Sequence, residues 1–301
     1  MLSSETKLLN IIIALQTKSS DGFPSPLFDV GYRLEGIETA FTVKAGDLEY
    51  NVRPDLQLKS DAETMLLFIE CKDGNVEKKQ LEHYMKISEE DIKNSKITSL
   101  DSSKTIGFDL MYFGTGQKKE KLIKSIDGDR NLFPIVIYEN DLVYLYKNPK
   151  GGNVFSNKKL NGVFETINVK NPPVSFIPFT INDRDEFIML AVLRDILSFV
   201  EKPFTVEELA KNMFGNRYDF LPADYIKSLK AKVGQILKKL RDEHLKGHLS
   251  YSRDEGWSLT INKIKPFSNA CEKVRKNLID NIYRSSLKDF EEGGKFYKLT
   301  K

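Results

Sequence analysis

Apolar residues recur along this chain with different spacings, and each spacing predicts an element. Between residues 3 and 18, Leu8, Leu9, Ile12, Ile13 and Leu15 fall on one side of a helix, and Ser4 and Lys7 begin its polar side. Residues 38–44 read as a strand, Ala45-Gly46-Asp47 as a turn, and residues 48–58 as a second strand. After a break at Asp61-Ala62-Glu63 comes Met65-Leu66-Leu67-Phe68-Ile69-Glu70-Cys71-Lys72, apolar at both parities until its end. That run predicts a strand covered on both faces, central in a sheet with helices above and below.

Farther on, residues 76–87 suit a helix carrying Gln80, Leu81, Tyr84 and Met85. A polar connection leads to a buried strand at 107–113. A helix at 117–126 and a strand pair at 133–138 and 142–146 follow. This order predicts an α/β domain with a mixed sheet flanked by helices. Gly151-Gly152, Pro172-Pro173 and Pro178 interrupt any regular pattern, so the expected division is a first domain at 1–170, a linker at 171–183 and a second domain at 184–301. The second domain opens with a helix at 183–200. Thr205-x-x-Glu208 is a capping box before another helix, and a third runs from behind Pro222 to about His244. Residues 247–251 and 257–261 then read as a hairpin around Asp254-Glu255-Gly256. Three helices and a hairpin is the layout of a mostly α winged helix-turn-helix, here extended by a helix at 267–290.

Composition narrows the setting. A chain of 301 residues with 40% hydrophobic and 30% charged residues has material for two soluble domains. The apolar cluster from Leu8 to Leu15 is interrupted by Asn10 and is too short to span a bilayer. It also lacks a basic leader, so a cytoplasmic protein without membrane contact is expected. Cys71 and Cys271 form neither a disulfide framework nor a C-x-x-C zinc pair. Residues 1–183 hold 23 Lys+Arg against 26 Asp+Glu, whereas residues 184–301 hold 23 against 17. The modest basic excess of the second half suits an anionic partner such as nucleic acid.

The chemistry concentrates at Arg53-Pro54-Asp55 and Glu70-Cys71-Lys72. Side chains alternate along a strand, so Glu70 and Lys72 share a face, and Cys71 joins Leu67 and Ile69 on the other. Antiparallel pairing across the Asp61 turn would bring Asp55 near Glu70. Charges at the end of so apolar a strand carry a desolvation cost, which a divalent cation would offset. Two carboxylates are the hard oxygen ligands that Mg²⁺ prefers. The lysine beside them could stabilise charge building on a phosphodiester or position the attacking water.

These residues resemble the PD-(D/E)XK nuclease superfamily, with Pro54-Asp55 in place of its PD and Glu70-Cys71-Lys72 in place of its (D/E)XK. Gln80-Leu81-Glu82-His83-Tyr84 is similar to the Q-x-x-x-Y element that follows the catalytic lysine in several branches, although Gln80 comes only eight residues after Lys72. The resemblance covers roughly residues 1–146 and implies a restriction-endonuclease-like fold. It implies Asp55, Glu70 and the Cys71 backbone carbonyl as ligands of Mg²⁺ (or Mn²⁺), Lys72 as the catalytic lysine, and Gln80 and Tyr84 lining the site. A further acidic ligand often comes from an early element. Glu5, Glu35 and Glu38 are the candidates, and Glu35 is the expected one.

Elsewhere, Gly114-Thr115-Gly116-Gln117-Lys118-Lys119 reads as a turn where Lys118 or Lys119 could meet a phosphate. The helix behind Pro222 has a core stripe (Ile226, Leu229, Val233, Ile236, Leu237, Leu240) and a basic one (Lys227, Lys230, Lys238, Arg241). In a winged helix the basic stripe would meet double-stranded DNA, with Arg253 reaching from the hairpin tip. The expectation is a metal-dependent DNA endonuclease of restriction or defence type, acting as a homodimer. The alternatives are an inactive DNA-binding regulator, or a repair, recombination or transposon-end nuclease.

Overall fold

The doubly apolar run at 65–72 is the structural centre of the first half of the chain. The computed structural model describes residues 2–18, 22–126, 133–147, 154–170, 176–200, 202–259 and 264–293. Gly151, Gly152, Pro172, Pro173 and Ile261 lie outside them. The chain divides into two compact units, one of Ser4–Ile177 with Asn216–Tyr225, the other of Met1–Ser3, Pro178–Gly215 and Ile226–Lys301. The division at Ile177/Pro178 falls inside the stretch 171–183, and residues 216–225 group with the first unit rather than the second.

The first unit is α/β. In chain order it comprises α1 (Ser4–Leu15), α2 (Pro26–Asp29), β1 (Arg33–Ile37), β2 (Phe41–Ala45), β3 (Leu48–Val52), β4 (Leu56–Ser60), β5 (Met65–Lys72), α3 (Lys78–Tyr84), α4 (Glu89–Ser95), β6 (Gly107–Thr115), α5 (Lys119–Ile126), β7 (Ile135–Glu139), β8 (Leu142–Leu145), α6 (Lys158–Val163) and β9 (Ile167–Asn168). Among the described residues, seven strands form a mixed sheet in the order β1-β4-β5-β6-β7-β8-β9. Only β5–β6 and β6–β7 are parallel. Leu66 to Cys71 are all buried, as expected of a strand covered on both faces. One face meets α1. The other carries a core of Leu66, Phe68, Leu110 and Tyr112 packed with Phe41, Val43 and Tyr84.

Three early elements differ from expectation, each for a local reason. The expected strand 48–58 is two strands, because Pro54 has no amide hydrogen to continue a ladder. β3 pairs with β2 in a separate hairpin sheet, and β4 restarts in the main sheet directly after Asp55. The helix expected at 76–87 ends at Tyr84. A second helix follows, started by a capping box in which the Ser88 side chain and Asp91 satisfy each other's backbone amides. Finally, α1 is buried on all sides from Leu8 to Leu15 rather than amphipathic. Its polar Asn10 is tolerated because its amide donates to the Thr6 and Ile177 carbonyls and accepts from the Phe176 and Ile177 amides.

The second unit consists of α7 (Asp185–Asp195), α8 (Val206–Phe214), most of α9 (Ala223–Lys239), the hairpin β10 (Leu249–Ser252) and β11 (Gly256–Leu259), and the long α10 (Ile264–Gly293). The Thr205–Glu208 capping box is formed. Phe204 exchanges two backbone hydrogen bonds with Trp257 (2.8 and 2.9 Å) and so adds a short third strand to the hairpin. Gly256 makes that approach workable, since a Cβ there would lie 2.8 Å from the Phe204 carbonyl oxygen and its φ is +83°. Leu229, Val233, Ile236, Leu237 and Leu240 are buried as the core stripe requires, and Ile226 is half-buried. Among the described residues no helix is long and apolar enough to cross a membrane.

Candidate active site

The sheet register draws three carboxylates into one row. Ile37 pairs with Leu56, and Leu56 with Ile69. One step further places Glu38 beside Asp55 and Asp55 beside Glu70, with Tyr112 next along. The Glu38 amide donates to the Asp55 carbonyl at 3.0 Å. The Cys71 amide donates to the Asp55 carboxylate at 2.6 Å. Residues opposite each other on adjacent strands present their side chains on one face, about 5 Å apart at Cβ. Glu38 takes φ +53° as the chain leaves β1, a left-handed conformation that costs a non-glycine residue about 1 kcal/mol or more.

The lysine and the helix complete the site. Lys72 Nζ lies 3.0 Å from Glu70 Oε2, and Glu70 itself is 1% exposed. Gln80 and Tyr84 are four apart on α3, so they face the same way. The Tyr84 hydroxyl donates to Glu70 Oε1, and Gln80 also hydrogen-bonds Glu70. The strand end therefore holds Asp55, Glu70, Lys72 and the Cys71 peptide, and α3 brings Gln80 and Tyr84 to them. A cavity of about 410 Å³ opens there, with Lys72, Gln80 and Tyr84 on its floor.

The electrostatics are those of crowded negative charge. Burial first, then Glu70, pushes the Glu38 carboxyl up to about 7. Burial, then Glu70 and Glu38, holds Asp55 well above the usual carboxylate range. Burial also raises Glu70, although Lys72, Tyr84 and Gln80 pull it back. Burial works against charge on Lys72, but Glu70 and Asp55 outweigh it and keep the ammonium above its ordinary value. The Tyr112 hydroxyl is buried without a hydrogen-bond partner, and burial and then Glu70 raise it.

A divalent cation fits this donor set. The oxygens are hard, and three carboxylates face one ammonium, so positive charge would relieve the site. Among the described residues no three His, Cys, Asp or Glu side chains close into a metal cage. An open site of one or two carboxylates, completed by water and substrate phosphate, is the arrangement Mg²⁺ usually adopts.

The other sequence candidates lie elsewhere or are engaged. Glu35 points to Lys59 (3.7 Å) and accepts the Ser99 amide, so the third carboxylate of the row is Glu38 instead. Lys118 is paired with Asp73 at 2.8 Å. Lys119 donates to the Tyr144 hydroxyl at 3.2 Å. On α9, Lys230 pairs with Glu207 (3.0 Å), Arg241 pairs with Asp242 (2.6 Å), and Lys227 and Lys238 are exposed. Arg253 is exposed in the hairpin turn. Sequence reasoning kept Glu38 as a candidate but preferred Glu35, and gave Tyr112 no role. Their signal lies in pairing register, which is read only once the strand ends are known.

A family model described as the MJECL32 domain matches residues 4–177, the same span as the main segment of the first unit. The uncharacterized protein MJECL32 of Methanocaldococcus jannaschii is 36% identical over 99 residues, which is 29% of this chain and 22% of that protein. The match thus spans about a fifth of that relative's length. No solved structure matches the chain. With more than half of its residues aligned to the family model, the chain belongs to the MJECL32-domain family.

Proposed function

We propose that the chain is a metal-dependent DNA endonuclease of the PD-(D/E)XK type, most simply a restriction or defence enzyme. The observation that carries this reading is the row Glu38–Asp55–Glu70 with Lys72 ion-paired at its end and Tyr84 on Glu70. The antiparallel β1-β4-β5 run followed by parallel β6 supports a restriction-endonuclease-like core. Asp55, Glu70 and the Cys71 carbonyl would hold Mg²⁺ or Mn²⁺, with Glu38 as the further carboxylate. When bound, the cation would supply Lewis-acid polarisation of the phosphodiester and a more acidic water.

The chain's own groups do the rest. Lys72 is held protonated, so it serves as a positive charge beside the scissile phosphate rather than as a proton acceptor. Tyr84 and Gln80 fix the Glu70 carboxylate in one orientation. Glu38, raised to about 7 by burial and Glu70 in the metal-free site, must give up its proton before it can take part in holding the cation.

The second unit supports a DNA-reading winged helix. It supplies helices α7 to α9, a hairpin with a short third strand at Phe204, and exposed Lys227, Lys238 and Arg253 for phosphates. Cutting both strands of a duplex needs two sites, which a homodimer on DNA would provide. The test is a panel of methylated and unmethylated plasmids incubated with Mg²⁺ or Mn²⁺, the ends being mapped. Cleavage that depends on methylation state is the expected result for a restriction enzyme. A protein that retards these DNAs on a gel but cuts none of them would instead be a regulator built on the same fold.

A further inference from the structure

The cavity above the site has walls of a different character from its floor. Asn51, Val52, Arg53, Glu77, Lys79 and His83 line them, with Arg53 ion-paired to Asp224. The His83 ring is backed by Tyr50, with centroids 4.3 Å apart and planes at 42°. Tyr50 is braced in turn by Lys86, whose ammonium lies 4.3 Å from its ring centroid and 3.0 Å from its hydroxyl. His83 is thus a half-exposed flat ring held by a second ring, at the rim of the phosphate-handling floor. Lys79 is exposed and adds positive charge.

A volume of about 410 Å³ is on the scale of a small-ligand pocket and has room for a single nucleotide. Aromatic platforms beside cations are how proteins hold unpaired bases, because every base has a face to stack while its backbone needs neutralising. Resting on the nuclease reading above, we propose that this cavity takes one unpaired nucleotide of the DNA substrate. Its base stacks on His83, and its phosphate lies toward Lys72 and Lys79. The substrate is then DNA in which one nucleotide at the cut is unpaired, either in a single-stranded stretch or by local fraying of the duplex.

The test measures binding without metal, so that it does not depend on cutting. The full chain, its His83→Ala variant and its His83→Phe variant are titrated by fluorescence anisotropy against a labelled single strand and the same strand in a blunt duplex, in EDTA. Stacking predicts that His83→Ala weakens single-strand binding by roughly 5- to 150-fold while His83→Phe keeps it. Duplex affinity stays the same in all three. His83→Ala binding the single strand like the wild type, or His83→Phe losing as much as His83→Ala, would overturn the proposal. Thermal melting of each variant checks that it is folded. The two readings fail separately: His83-dependent binding by a protein that cuts no DNA sinks only the nuclease assignment, and cutting without His83 dependence sinks only this one.

Discussion

Asp55→Ala and Lys72→Ala are each expected to reduce DNA cleavage by about 10²–10³-fold or more, the usual cost of removing one preorganised charge from a reacting centre. Duplex affinity, measured by gel shift in EDTA, should change little, because the exposed cations of α9 and the hairpin lie in the other unit. Stability distinguishes the two variants. Lys72 is the ammonium that offsets Glu70, with Nζ 3.0 Å from Oε2, so its removal leaves a buried carboxylate uncompensated and should lower the melting temperature. Asp55 stands between two other carboxylates and is itself held well above its ordinary range by burial and by them. Removing its charge relieves repulsion, so Asp55→Ala should melt no lower than the wild type at pH 8 despite the lost Cys71 amide bond. Loss of cleavage in a variant that is not destabilised is an effect on chemistry. Near-wild-type cleavage in either variant would place the active site elsewhere.

Glu38 should show a large pH effect on folding. Burial and Glu70 raise its carboxyl from 4.5 to about 7. The unfolded chain gives up this proton near 4.5, whereas the folded chain keeps it until about 7. Between those values the folded state binds more protons, so stability is full below pH 4.5 and is lost as pH rises to about 7. The shift corresponds to on the order of 3 kcal/mol for this buried group. Glu38→Gln carries no such charge. Urea unfolding at pH 5 and pH 8 should therefore show the wild type losing stability relative to Glu38→Gln, and the variant should be the more stable of the two at pH 8. Mg²⁺ at pH 8 should restore stability to the wild type more than to the variant, since a ligand that binds only the folded state stabilises it. An equal pH response in both proteins would mean that Glu38 is not held in this acidic row.

The parts of the site that could be read from the sequence are those set by local pattern. Residues 65–72 are apolar at both parities, which identifies a central strand, and period-two alternation then puts Glu70 and Lys72 on one face. The i, i+4 spacing of Gln80 and Tyr84 likewise needs only a helix. Glu38 could not be picked out from Glu5 and Glu35 because its place in the row depends on where β1 stops. Residues 38–44 have strand-like composition, yet Glu38 is the left-handed residue that ends one strand before the next begins. Pro54 is similar: Val52, Leu56 and Leu58 keep an alternating pattern across it, and only the missing amide shows that the ladder breaks. The full burial of α1 could not be read either, since Asn10 looks polar until its partners at Phe176 and Ile177 are known, more than 160 residues away.

The proposal rests on the carboxylate row being a centre where a divalent cation and a phosphodiester meet. Incubating the purified protein with end-labelled DNA carrying single-stranded and duplex segments tests this most directly, using Mg²⁺, Mn²⁺ or EDTA across pH 6 to 9. The prediction is cleavage with either cation and none in EDTA, with a rate that rises through about pH 7 as the Glu38 carboxyl loses its proton. No cleavage with either cation at any pH, or cleavage that persists undiminished in EDTA, would contradict it.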